Sequence, residues 1–273
     1  MKDQYAGDIG DYTKLGLLRA IQRTGLSVGV NWYLTPNDVD NNDVRECKND
    51  CMNCESYTKT TGKNDGKFTE YLRKPCDTPD PGLYCILKKL ICHNKRSVAE
   101  LEKACVLLPG AVYYNERLDF SGVPDKKAHR ENWHNAAMGA LKPCDVVFLD
   151  PDNGLEVDSI KPFALKGNKY VTYKEAADYY QSGASVIIYN HKDFTPERDF
   201  LLKKRDKFRS TEGTENAELL CLKAPRFSVR YYFILVQEKH KQQLNEAINT
   251  MLDTGWRDYM SLVEVPGSEH GAK

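Results

Sequence analysis

The run Asp145-Val-Val-Phe-Leu-Asp-Pro-Asp-Asn-Gly154 constrains this chain more than any other stretch. Val146, Val147, Phe148 and Leu149 form an unbroken apolar segment, the pattern of a strand buried on both faces. It stops abruptly on Asp150-Pro-Asp-Asn-Gly, three polar acceptors and two turn formers. In open α/β sheets, ligands sit outside the carboxyl ends of such strands. A carboxylate there, beside the turn set by Pro151, can hold a ligand amine, a hydroxyl or a metal. Asp150 and Asp152 could instead cap a turn through their own backbone. Glu156 and Asp158 follow closely and tilt the reading toward a functional site. Asp150→Ala is expected to abolish that function and leave the fold intact, because a carboxylate at a strand's end contributes little packing.

Around this run, strand and helix patterns alternate. An apolar face on Leu15, Leu17, Leu18 and Ile21 predicts a helix over about 11–24, followed by a strand over 27–34. Helices are expected over 80–92, from the Ser97-Val-Ala-Glu100 capping signal, over 126–141, near 174–181, over 196–209 and over 239–253. Strands are expected at 111–114, up to Asp150, at 184–189, 219–222, 230–237 and near 260–265. The alternation with a late hairpin argues for a three-layer α/β domain over 1–265, mostly parallel with an antiparallel edge. Residues 35–78 read as a polar, cysteine-containing insertion and 266–273 as a flexible tail.

Lys plus Arg and Asp plus Glu both total 39, so no global field draws the chain to nucleic acid or acidic lipid. No apolar run approaches a membrane span or a signal-peptide core, and cytoplasmic is the expected location. Nine cysteines without a secretion signal point to reduced thiols or a metal site rather than a disulfide framework.

The segment Ala6-Gly7-Asp8-Ile9-Gly10-Asp11-Tyr12-Thr13-Lys14 resembles the amino-terminal signature of the RlmJ-type ribosomal RNA adenine methyltransferases, and Asp150-Pro-Asp-Asn153 resembles their Asp-Pro-Pro-Tyr motif. The late hairpin and the helix after it occur in similar order. The resemblance implies a class I methyltransferase-like, Rossmann-like fold and S-adenosylmethionine as cofactor. It implies that Lys14 and Asp11 lie on the cofactor side, and that Asp150 and Asn153 orient an amine of a nucleic acid or nucleotide for in-line methyl transfer. The chain departs from the family at several points, among them Lys2 where the family has a His. Leu34-Thr-Pro-Asn-Asp-Val39 has no glycine where the backbone must approach the cofactor, and Asn153 replaces the base-stacking aromatic. Asp38 is a candidate acceptor for ribose hydroxyls. A degenerate, non-catalytic member that binds a nucleotide or partner is the alternative.

Cys47, Cys51 and Cys54 are spaced C-x3-C-x2-C, which also resembles the cluster motif of radical S-adenosylmethionine enzymes. A structural zinc site completed by Cys76, or by Cys92-His93, is simpler, and chance clustering remains open. Asp150 and Asp152 superficially resemble the Asp-x-Asp of haloacid-dehalogenase phosphatases, without the Thr that follows there. A nuclease-like site would use Asp150, Asp152 and Glu156 around a divalent ion. His191 ends the next strand and would face the same edge as base or ligand. Between Lys192 and Arg209, basic residues interleave with Phe194, Phe200 and Phe208, a pattern that suits either phosphate tracking or a buried helix face.

Overall fold

A computed structural model describes residues 1–37, 68–73, 78–93 and 95–267. Helix α1 (Ile9–Arg23) starts where the Asp8 side chain accepts from the Asp11 N–H, and Gly25 ends it at φ +89°. Strand β1 (Val28–Asn31) follows, buried throughout. Helix α2 (Pro81–Cys92) combines an Asp80 cap with Pro at its first position, and α3 (Val98–Lys103) is capped by Ser97. Next come β2 (Val112–Tyr114), α4 (Lys126–Leu141) and β3 (Val146–Leu149). After β3 lie β4 (Gly154–Leu155), β5 (Tyr170–Val171), α5 (Tyr173–Gln181) and β6 (Ser185–His191). The chain continues through α6 (Glu197–Arg209), β7 (Glu218–Ala224), β8 (Arg230–Val236), α7 (Lys241–Leu252) and β9 (Ser261–Leu262).

Seven strands form one sheet in the order β2-β1-β3-β6-β8-β7-β9. The first four are parallel, with Val28 opposite Val146 and Val146 opposite Ser185. The late hairpin folds back so that β8 lies antiparallel between β6 and β7. Alternate residues of β3 face opposite layers. Val146 and Phe148 pack with Leu15, Leu18, Leu87 and Ile248, whereas Val147 and Leu149 pack with Trp133, Ala176, Tyr179 and Phe200. The unbroken apolar run is thus explained by helices on both faces, a Rossmann-like α/β architecture. The chain leaves β1 for β2 on one side and returns to β3 on the other. The carboxyl ends of β1 and β3 therefore flank a topological switch point, where open α/β sheets bind ligands.

Two expectations are corrected. The first strand covers four residues of the expected eight, because after Asn31 the chain leaves the sheet and Tyr33 takes φ +43°. The last strand is only Ser261–Leu262 at the sheet edge. The β4–β5 pair, a second small parallel sheet, carries no apolar run long enough to be read from sequence. Of the expected tail, Pro266 and Gly267 are described, and their carbonyls accept from Arg205 and Arg209. Among the described residues no helix is long and apolar enough to cross a membrane.

Candidate functional site

Asp150 leaves β3 with its N–H donating to the Asn31 carbonyl at 2.9 Å, which locks the ends of β3 and β1 together. Its carboxylate meets Lys14 Nζ at 2.6 Å, and the same ammonium is 2.7 Å from Asp11 Oδ1. Asp11 in turn accepts from the Gly7 N–H at 2.7 Å. All three side chains are buried, and the ammonium also lies over the Trp32 and Tyr189 rings at 5.4 and 5.8 Å. Burial lowers the Lys14 pKa, but the two carboxylates outweigh it and hold the ammonium well above the usual lysine range. Burial pushes the Asp11 carboxyl up to about 6, against the pull of Lys14.

Two residues further on, Asp152 accepts from Thr35 Oγ1 at 3.1 Å, and its Oδ1 lies 2.8 Å from the Met1 amino group. That amino group also donates to the carbonyls of Tyr33 and Asp150 at 2.9 and 3.0 Å, so Met1 packs across the switch point. Burial opposes the Asp152 charge, but the amino group, Lys169 and Lys2 outweigh it and lower the carboxyl's pKa. Asn153 bridges two elements: its N–H donates to the Lys169 carbonyl, and its own carbonyl accepts from the His191 N–H, both at 3.0 Å. The His191 ring Nε2 is 2.9 Å from the Tyr189 hydroxyl, which accepts from Arg230 Nε at 3.1 Å. Arg230 Nη2 reaches within 3.6 Å of Asp8, closing the ring of polar groups.

Asp11, Lys14, Asp150, Asp152, Asn153 and His191 thus line one cleft of about 120 Å³ together with Phe68 and Ser228. The two sequence motifs, some 140 residues apart by residue number, meet there. Asp38 and Cys47, Cys51, Cys54 and Cys76 lie outside the described residues. Cys92, the alternative zinc ligand, is buried at the end of α2. Glu156 does not join Asp150 and Asp152. Its carboxylate accepts from the Tyr173 N–H at 2.8 Å and serves the start of α5. Asp158 pairs at the surface with Lys203 and Lys207. Among the described residues no group of three or more His, Cys, Asp or Glu is arranged to hold a metal ion.

The premise that the Asp150 carboxylate contributes little is corrected: Asp150 is 2 % exposed and pairs with a buried lysine. Helix α6 fits the buried-face reading of its aromatics. Phe200 and Phe208 are buried, Lys203 and Lys207 are paired with Asp158, and Arg205 and Arg209 hold the carbonyls of 266–267. Of its interleaved aromatics only Phe194 is exposed.

Sequence reasoning missed the group that holds the loop behind the cleft. Arg130, 2 % exposed, pairs with Glu175 through Nε at 2.6 Å and Nη2 at 2.7 Å, and donates to the carbonyls of Pro162, Gly167 and Tyr170. Burial opposes the Glu175 charge, and Arg130 outweighs it. Glu175 also completes the capping box of α5 with Thr172, a signal readable in Thr172-x-x-Glu175. Nothing local marks Arg130 as its partner.

No protein-family model, curated protein or solved structure matches the chain. The class it belongs to is therefore defined by its own architecture, an α/β protein with a polar cleft at the carboxyl edge of a mostly parallel sheet.

Proposed function

We propose that this protein binds an amine-bearing nucleobase, as part of a nucleotide or nucleic acid, in the cleft at the carboxyl edge of a methyltransferase-like scaffold. One observation carries the reading: Asp11 and Lys14 from one motif converge with Asp150, Asp152 and Asn153 from the other beside the switch point. An exocyclic amine donates two hydrogens, and carboxylate and amide oxygens facing the cleft accept them. A keto group in the same place would set acceptor against acceptor. The hairpin strand β8, inserted antiparallel and followed by α7, supports the scaffold part of the reading.

S-Adenosylmethionine, which would supply a methyl group to that amine, fits the described residues poorly. Lys14 is already held by two carboxylates, Met1 packs across the crevice, and the turn after β1 offers side chains where a close backbone approach needs glycine. No transfer step is derived, and the reading is one of base binding.

Titration calorimetry with adenosine and inosine monophosphates, which differ at that amine, checks it. Adenosine monophosphate is expected to bind about tenfold tighter or more. His191→Ala and Asn153→Ala should each weaken it roughly 3- to 10-fold, the loss of one hydrogen bond, with an unchanged unfolding midpoint. Equal affinity for the two nucleotides, or none for either, refutes the reading. Tight binding of S-adenosylmethionine in the same assay would restore the catalytic one.

A further inference from the structure

We propose that the turn at Phe227 builds the specificity wall of the cleft: the Ser228 hydroxyl donates to a ring nitrogen beside the ligand's amine, and Phe68 covers the face of the base. The inference rests on the base-binding reading and deepens it. It narrows the ligand to a base whose amine adjoins a hydrogen-bond-accepting ring nitrogen, as in adenine. At about 120 Å³ the cleft is small beside the ~300–1,000 Å³ of pockets that enclose a whole ligand, so the base enters and its sugar stays outside.

Phe227, in the β7–β8 connection, has φ +64°, a conformation bulky side chains rarely adopt. Such strain persists only where surrounding contacts over-determine it, and it gathers at ligand clamps. Here the Ser228 N–H donates to the Arg226 carbonyl at 2.9 Å, closing a three-residue turn with Phe227 at its centre. Arg230 Nη1 donates to the carbonyls of Arg226 and Ser228 at 3.2 and 3.1 Å. Arg230 is itself buried, lines the cleft and donates from Nε to the Tyr189 hydroxyl. The turn is thus braced by a cleft residue.

The turn acts on the cleft through two residues. The Phe227 ring, 52 % exposed, lies 5.3 Å from the ring of Phe68, which lines the cleft. The Phe68 carbonyl accepts from the Ile9 N–H at 3.0 Å, fixing that ring to the start of the helix that supplies Asp11 and Lys14. Other rings of the cleft are engaged elsewhere. The Lys14 ammonium lies over Tyr189, His191 meets that ring edge-on, and the Lys2 ammonium lies 6.0 Å from the centre of the Tyr5 ring. Phe68, stiffened by Phe227, supplies the face for a base.

Ser228 also lines the cleft. Its N–H and carbonyl are both bonded, yet its Oγ is buried with no hydrogen-bond partner among the described residues. Such an orphan costs about 1–3 kcal/mol and calls for a partner when the cleft is filled. The amine's hydrogens go to carboxylate and amide oxygens, so a hydroxyl beside them meets the next atom of that edge, a ring nitrogen with a lone pair.

Titration calorimetry on the full chain, with adenosine monophosphate and its 1-deaza analogue, which lacks the ring nitrogen, tests the proposal. The natural nucleotide is expected to bind roughly 3- to 10-fold tighter, the value of one hydrogen bond. Ser228→Ala should lose that factor for adenosine monophosphate, lose nothing for the analogue, and keep the unfolding midpoint. Phe68→Leu, which keeps an apolar side chain but no ring, should weaken both nucleotides roughly 5- to 150-fold. Phe68→Trp should retain affinity, and its added fluorescence should be quenched as nucleotide binds. Phe227→Gly, suited to φ +64°, should hold the unfolding midpoint while weakening both nucleotides several-fold. A Ser228→Ala variant that weakens both nucleotides equally, or neither, overturns the proposal. So does a Phe68→Leu variant that binds as tightly as the natural chain. In those cases a retained preference for adenosine over inosine monophosphate leaves the base-binding reading standing. No binding of adenosine monophosphate by the natural chain refutes both.

Discussion

At the scale of single residues, the Asp11–Lys14–Asp150 group governs how the cleft can be dissected. Removing one carboxylate from a buried pair leaves a charge without full compensation, and Asp11 makes up only part of the loss. Asp150→Ala is therefore expected to cost on the order of 3 kcal/mol, read as a drop in the denaturant midpoint; a cost below about 1 kcal/mol would return Asp150 to simple turn capping. Any loss of binding in that variant mixes two effects, which is why His191 and Asn153 are the cleaner tests. Asp11 adds a pH dependence. Its carboxyl is raised from 3.8 to about 6 in the fold, so between those values the native state holds more of the proton than the unfolded chain does. Stability from this group is full below about pH 4 and is lost as pH rises through about 6. Asp11→Asn should flatten that slope in urea midpoints measured from pH 4 to 7, and parallel curves for the two proteins would show that Asp11 does not titrate there.

Among elements, α1 presents the motif residues to the cleft, and its seat depends on a glycine. A Cβ at Gly16 would lie 2.3 Å from the Trp256 ring, whose face also packs on Tyr12 at 4.8 Å between centroids. Helix propensity alone favours alanine there by about 1 kcal/mol. Overpacking against an indole in a filled core costs about 1–3 kcal/mol, so steric conflict wins. Gly16→Ala should lower the thermal midpoint, and a rise would mean that Trp256 moves aside freely. Gly154 is under a comparable constraint, with φ +122° and the Asn190 amide 2.3 Å from where a Cβ would stand. That contact lets the Leu155 N–H donate to Asn190 Oδ1 at 2.7 Å and draws the turn after Asp150 onto β6.

For the molecule as a whole, one sheet joins two apolar layers, with Trp32 and Trp256 in one and Trp133 in the other. Phe148 is fully buried in the strand that serves both. Phe148→Ala should cost about 3–5 kcal/mol yet leave a single transition, with far-ultraviolet circular dichroism and tryptophan fluorescence coinciding. Fluorescence lost ahead of the helical signal would show that the layers unfold separately. The same architecture places the cleft, because strands of one direction bring the ends of β1, β3 and β6 to one edge.

Much of this was legible along the chain. Helix α4 falls where the apolar spacing put it, β3 where the unbroken run put it, and β7 and β8 where two apolar segments flank Pro225. These features repeat within a few residues, so local periodicity and turn chemistry suffice to set them. Short pairings do not announce themselves: β4 and β5 hold two residues each, with Arg130 donating to the Tyr170 carbonyl and the Leu155 N–H donating to Asn190 Oδ1. The candidate residues Asp11, Lys14, Asp150, Asn153 and His191 could be named from motif chemistry, but not their mutual neutralisation, since an ion pair across 136 positions is settled by topology. By itself the sequence determined the elements and the chemical inventory, because both are encoded in neighbouring residues. Only the tertiary structure decided which charges were already satisfied and which rings were held in water, because burial and pairing belong to contacts made when distant segments meet.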